Sequence, residues 1–178
     1  MKHNNKGINT ICTHVGELKD KEFKGAVSPL YMSTSYAFED VDVKRYPRYF
    51  NTPNQKALSQ KIAALEHAEE AMIFGSGMAA ISTALFAFLK AGDHVVLQNM
   101  LYGGTQNLVT KQFEKFGISY SFTNGLRPAD FEAKINKNTK VIYIETPSNP
   151  LLTITDLAAI AEIAKRHNLV SMIDNTFA

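Results

Sequence analysis

The chain has no tryptophan and a single cysteine, Cys12. One thiol cannot form an internal disulfide framework and supplies no ligand pair, so redox and zinc chemistry are not expected to organise this protein. No apolar run reaches the roughly 20 residues that a membrane helix needs. The longest, Ala79 to Leu89, is interrupted by Ser82 and Thr83. Excess charge of one sign is also missing: 19 Lys+Arg face 17 Asp+Glu, for a net charge of +2. The basic residues are scattered rather than striped along one face, so no nucleic-acid partner is implied. Behind Met1-Lys2-His3-Asn4-Asn5-Lys6 there is no apolar segment, which argues against secretion and for the cytoplasm. Internal repeats and low-complexity segments are absent as well.

With 178 residues and 45% hydrophobic content, the chain can bury a substantial core, in one domain or slightly more. The residues up to about position 52 lack a sustained helical period. They carry Gly7, Gly16, Gly25, Pro29 and Pro47, with Tyr31, Tyr36, Phe38, Tyr46, Tyr49 and Phe50 between. An aromatic arm without a core of its own rests on something else, either the following domain or another subunit. Residues 1–52 are accordingly read as an arm and 53–178 as the beginning of a larger domain.

From Pro53 the pattern changes. Leu58, Ile62, Leu65 and Ala68 recur at helical spacing, and Ala71 to Phe74 form a short apolar run, a strand or tight turn, ending at Gly75. A helix is expected over Met78 to Leu89, a strand over His94 to Gln98, a helix over Thr105 to Phe116 and a strand over Ile118 to Phe122. A short helix around Pro128 to Ile135 follows. Val141 to Ile144 is β-branched enough for a central strand. Ile154 to His167 repeats apolar residues on one face, and Leu169 to Ile173 is the last strand. Strands alternating with helices of about 10 to 15 residues indicate an α/β fold, three-layered, with a mostly parallel sheet covered on both faces.

Four short segments could carry chemistry. Phe74-Gly75-Ser76-Gly77-Met78-Ala79-Ala80 turns from an extended run into a helix, whose free N–H groups can hold an anion. It is not a P-loop, because no Gly-Lys-Ser/Thr follows, and the acid expected about 20 residues beyond a dinucleotide fingerprint is missing. Tyr46-Pro47-Arg48 sets an aromatic and a guanidinium two residues apart in an extended arm. Taken alone it reads as a surface loop. Leu101-Tyr102-Gly103-Gly104-Thr105 lets the chain approach a flat ligand while Tyr102 lies across its face. Turn chemistry alone would also explain those glycines. Glu145-Thr146-Pro147-Ser148-Asn149-Pro150 and Asp174 sit at further strand ends, where open α/β sheets keep their clefts.

In combination and order, Ser76-Gly77-Met78-Ala79-Ala80, Tyr102-Gly103-Gly104-Thr105, Glu145-Thr146-Pro147-Ser148-Asn149-Pro150 and Asp174-Asn175-Thr176-Phe177 resemble the Cys/Met metabolism family of pyridoxal phosphate enzymes. The likeness covers essentially the whole chain. The family includes cystathionine gamma-synthase, the cystathionine beta- and gamma-lyases, methionine gamma-lyase and the homoserine sulfhydrylases. The resemblance implies the large domain of a PLP-dependent transferase-like, fold type I enzyme. The implied activity is elimination or replacement at Cβ or Cγ of sulfur amino acids, as in transsulfuration. Substrates of that kind are cystathionine, O-acylhomoserine, cysteine or methionine.

By the same resemblance, Ser76, Gly77 and Met78 hold the phosphate of pyridoxal 5'-phosphate. Tyr46 and Arg48 reach that phosphate from a neighbouring subunit of a homo-oligomer, a dimer of dimers. Tyr102 stacks on the ring, Asn149 lies near the ring's oxygen or the substrate carboxylate, Asp174 pairs with the pyridine nitrogen, and Thr176 is a further cofactor-binding residue. Tyr102 and Asp174 are the implied catalytic residues. Two departures stand out. Asn51-Thr52-Pro53-Asn54 replaces the usual Asn-Pro-Thr, and Gly104 stands where methionine gamma-lyases often have cysteine.

The family's Schiff-base lysine, in a Ser-x-Thr-Lys segment beyond the strand ending at Asp174, has no counterpart here. Lys140 begins a strand, Lys165 is late in a helix, and the other lysines lie in the arm or on helix surfaces. The expectation is therefore an N-terminal portion of a protein more than twice as long, inactive by itself. Two readings of other classes stay open: a nucleotide-binding or regulatory domain using Gly75-x-Gly77, and a non-catalytic homologue kept as an interaction protein.

Overall fold

A computed structural model describes residues 6–178. Met1 to Asn5, read above for a leader, lie outside the described residues. The chain divides into two compact units, one ending at Gly75 and the other running from Ser76 to Ala178.

In the first unit, helix α1 (Ile8–His14) packs on helix α2 (Pro53–Leu65). Ile11 and Val15 are buried with Ala64, and Leu65 rests against them. Lys61 Nζ donates to the carbonyl of Cys12 at 2.6 Å, satisfying an orphan acceptor at the end of α1. Gly16, at φ +77°, lies against the carbonyl of Ala57, where no side chain fits. The change of pattern expected at residue 53 is the start of α2, with Thr52 and Gln55 forming a capping box and Pro53 in the first turn.

Helix α1 departs from the expectation of an arm without helix. At 7 residues it is too short to show a period, and it is held by Ile11 and Val15 against α2 rather than by propensity. Tyr46 is extended as expected, but Pro47–Tyr49 closes a 3-10 turn, so strand spacing does not carry through to Arg48. Ala71 to Phe74 joins no sheet among the described residues. Along the arm, Phe23, Val27 and Met32 are each more than 80% exposed, at 81%, 83% and 85%.

The second unit is a four-stranded, wholly parallel sheet in the order β2-β1-β3-β4. Its strands are β1 (His94–Leu97), β2 (Ser119–Phe122), β3 (Thr139–Glu145) and β4 (Val170–Asp174). Between and before them lie α3 (Gly77–Phe88), α4 (Gly103–Gln112), α5 (Pro128–Glu132) and α6 (Leu157–Arg166). A 3-10 turn, Phe113–Phe116, follows α4 and ends at Gly117, φ +68°.

Strand alternation sends neighbouring residues to opposite faces. Val95, Leu97, Val141 and Tyr143 pack with Leu85 of α3, Val109 of α4 and Phe113. Val96, Ile142 and Ile144 pack with Phe131 of α5 and Ile160, Ile163 and Ala164 of α6. Both faces are therefore covered, which lets a parallel sheet bury its β-branched strands. No helix among the described residues is long and apolar enough to cross a membrane.

Candidate active site

The strand order changes direction between β1 and β3. From β1 the chain passes through α4 to β2 on one side, and from β3 through α6 to β4 on the other. Loops leaving two such neighbouring strands diverge, and the crevice between them is where open α/β sheets bind ligands. Here that crevice is a cavity of about 430 Å³ lined by Ser76, Gly77, Met78, Tyr102, Glu145, Asn149, Asp174 and Thr176, with Ile81, Pro147 and Phe177.

One wall is the start of α3. Ser76 is extended, φ −159°, and its Oγ accepts the N–H of Ala79 at 3.1 Å, while its carbonyl accepts the N–H of Ala80. The N–H groups of Gly77 and Met78 have no acceptor within the helix, as the geometry of a first turn requires. Apart from its chain neighbours and its own helix backbone, nothing lies within 4 Å of where a Gly77 Cβ would stand, so an anion can approach this backbone. The aligned dipoles of a 12-residue helix favour negative charge at the same place.

A second wall comes from the loop after β1. Tyr102, the residue before α4, is half-exposed, and its ring crowds the position a Gly104 Cβ would occupy. The Met78 sulfur crowds the same point. A bare backbone at Gly104 thus lets the Tyr102 ring and Met78 come together at the cavity.

The third wall is made of carboxylates at strand ends. Glu145 and Asp174 are register partners on β3 and β4. Asp174 Oδ1 accepts the N–H of Thr176 at 3.2 Å and its hydroxyl at 2.5 Å. Asp174 Oδ2 accepts the hydroxyl of Tyr143 at 3.4 Å. Burial, and then the charge of Asp174, push the Tyr143 phenol far above its usual range, so it remains a donor. The Asp174 carboxylate is thereby oriented while still facing the cavity. A flat heteroaromatic with an anionic end and a cationic ring N–H matches these donors and this acceptor.

Of the residues picked out by sequence, Ser76, Gly77, Met78, Tyr102, Asn149, Asp174 and Thr176 all line this cavity. Tyr46 and Arg48 belong to the first unit, where the Tyr46 ring meets Tyr49 edge-on with centroids 5.3 Å apart. Sequence reasoning missed Tyr143 and the steric role of Gly104. The signal for Tyr143 was period two: Glu145, Tyr143 and Val141 share one face of β3, so a tyrosine two residues before a strand-end acid points toward the same chemistry.

Residues 9–178 match the family described as Cys/Met metabolism PLP-dependent enzyme. A probable cystathionine gamma-synthase of Herpetosiphon aurantiacus is 37% identical over 97% of this chain and 54% of its own length. The cystathionine beta-lyase MetC of Bacillus subtilis is 43% identical over 86% of this chain and 40% of its own length. Among solved structures, metB from Corynebacterium glutamicum superposes with a TM-score of 0.91 at 37% identity, covering 98% of this chain and 46% of that one. The chain thus spans about half the length of the relatives it matches. With the family match extending over nearly every described residue, and the strand-end cavity within it, the chain belongs to the Cys/Met metabolism family of PLP-dependent enzymes.

Proposed function

We propose that the cavity holds pyridoxal 5'-phosphate and that the whole protein catalyses elimination or replacement at Cβ or Cγ of sulfur amino acids. One observation carries the reading: the open N-terminus of α3 and three strand-end loops converge on a single cavity that also contains an oriented carboxylate. When bound, the cofactor supplies a cationic ring that accepts electrons from the substrate's Cα.

The chain's own residues divide the work. The Gly77 and Met78 N–H groups and the Ser76 hydroxyl bind the phosphate, and the α3 dipole favours its charge. Tyr102 covers one face of the ring and excludes water from it. Asp174, held by Thr176 and Tyr143, keeps a proton on the ring nitrogen. Asn149 is aimed at the ring's oxygen or the substrate carboxylate. Among the described residues no lysine lines the cavity, so the 178-residue chain alone is read as inactive.

Tyr46 and Arg48 are assigned to the phosphate of a neighbouring subunit in a homo-oligomer, a dimer of dimers. The exposed apolar side chains of the arm support that reading, because Phe23, Val27 and Met32 stand largely bare among the described residues of their unit. The substrate class is a small amino acid: cystathionine, O-acylhomoserine, cysteine or methionine. A cytoplasmic location accords with such metabolism.

The test is turnover by the whole protein of cystathionine, and of O-acylhomoserine with a thiol, scored for ammonia and keto acid. Asp174→Ala abolishes turnover, and Arg48→Ala weakens cofactor retention. Unchanged kinetics in both variants would overturn the proposal. Retention of a dinucleotide in place of pyridoxal phosphate would favour the nucleotide-binding reading of Gly75-x-Gly77.

A further inference from the structure

Glu145 is the last residue of β3 and is only 4% exposed. A carboxylate withdrawn from water must find donors. No lysine, arginine or histidine among the described residues pairs with it. Instead its two oxygens take two backbone N–H groups. Oε2 accepts from Tyr102 at 2.5 Å and Oε1 from Asn149 at 2.8 Å.

Those two amides belong to different loops. Tyr102 follows β1 and leads into α4, whereas Asn149 follows β3 and leads toward α6. One carboxylate therefore spans the two loops that diverge at the reversal of strand order. The strand end carrying it is itself anchored. Its carbonyl accepts from Gln98 Nε2 at 2.9 Å, and Gln98, fully buried, also accepts the Thr155 hydroxyl at 2.9 Å.

We propose that Glu145 is a positioning residue that sets Tyr102 and Asn149 at a fixed separation across the cavity, an inference that rests on the cofactor reading above. The clamp needs two acceptors on one rigid stem. Glutamine has the same volume and supplies one, turning an NH2 donor against the other N–H. Alanine supplies none. A residue that merely filled space would be replaced by glutamine without loss.

Two measurements separate these roles. In the ligand-free chain, amide hydrogen exchange is followed by NMR at Tyr102 and Asn149, with Val96 and Ile142 reporting on the sheet. Glu145→Gln accelerates one of the two loop amides by about tenfold or more, and Glu145→Ala accelerates both, with the sheet amides unchanged. Calorimetric titration with pyridoxamine 5'-phosphate, which binds without a lysine, shows affinity weakened about tenfold or more in each variant. Wild-type exchange and affinity in Glu145→Gln would overturn the clamp. Should the wild-type chain fail to bind pyridoxamine 5'-phosphate, the cofactor reading falls. The clamp then stands or falls on exchange alone, and loop amides in Glu145→Ala no faster than in wild type would overturn it.

Discussion

Replacing Gly104 by alanine separates stability from binding. Gly104 is the second residue of α4 and lies outside the left-handed region, so its backbone accepts an L side chain. What the new methyl meets is side chains: an ideal Cβ stands 2.5 Å from Tyr102 Cε1, 3.1 Å from Cδ1 and 2.8 Å from the Met78 sulfur. Ordinary carbon contact is about 3.5 Å or more, so the ring must withdraw by about 1 Å. Tyr102 is 48% exposed and can swing toward solvent. The strain is therefore at the low end of the roughly 1–3 kcal/mol that overpacking costs in a core. Alanine's helix propensity returns up to about 1 kcal/mol. Net stability should stay within about 1 kcal/mol of wild type, since the two effects oppose one another.

Binding has no such offset. A displaced ring forfeits a stacking interaction of about 0.5–1.5 kcal/mol, so Kd for pyridoxamine 5'-phosphate should rise roughly two- to tenfold. Urea unfolding and calorimetric titration on the same preparation read the two quantities. An unchanged Kd would mean that the ring does not cover the ligand. A stability loss above about 3 kcal/mol would mean that Tyr102 is not free to move, and the reasoning would fail.

Two further perturbations follow from the same site. Ser76→Ala removes the acceptor for the Ala79 N–H and should cost about 1 kcal/mol in urea unfolding, whereas Ser76→Asp keeps the cap but repels phosphate, leaving stability intact while anion binding is lost. The buried phenol of Tyr143 keeps its proton to higher pH than an unfolded tyrosine does. Above about pH 10 the unfolded chain therefore binds fewer protons, and this group lowers stability by up to about 1.4 kcal/mol per pH unit. Tyr143→Phe should lose about 1 kcal/mol at neutral pH with the hydroxyl that reaches Asp174, yet show a shallower alkaline fall in urea midpoints. Equal alkaline slopes in the two proteins would refute this account.

The fold class was legible because β3 and its neighbours advertise buried parallel strands, with Val95, Val96, Val141 and Ile142 all fully inside. The cavity was legible because its residues stand at strand ends or at a helix start, positions that turn chemistry and glycine mark locally. What could not be read depends on distant pairing. Tyr102 and Asn149 meet one carboxylate only because β1 and β3 align Leu97 with Tyr143, and no local pattern encodes that register. Helix α1 escaped because two turns held by Ile11 and Val15 show no period. The helix expected to run unbroken to Phe116 tightens at Phe113, whose ring is fully buried, and stops at the left-handed Gly117.

The alternation of strand residues into two separate cores makes the sheet a partition. Everything that shapes the cavity walls from above, α3 with Ser76 to Met78 and α4 behind Tyr102, shares one compartment with Leu85, Val109 and Phe113. The compartment under α5 and α6 holds a different set, around Phe131 and Ile160. Damage in the first reaches the open helix end and the Tyr102 loop directly, whereas damage in the second reaches the cavity through the strand ends that carry Glu145 and Asp174. The two faces of the sheet are therefore coupled to the cavity by different routes, one through helix starts and the other through strand ends.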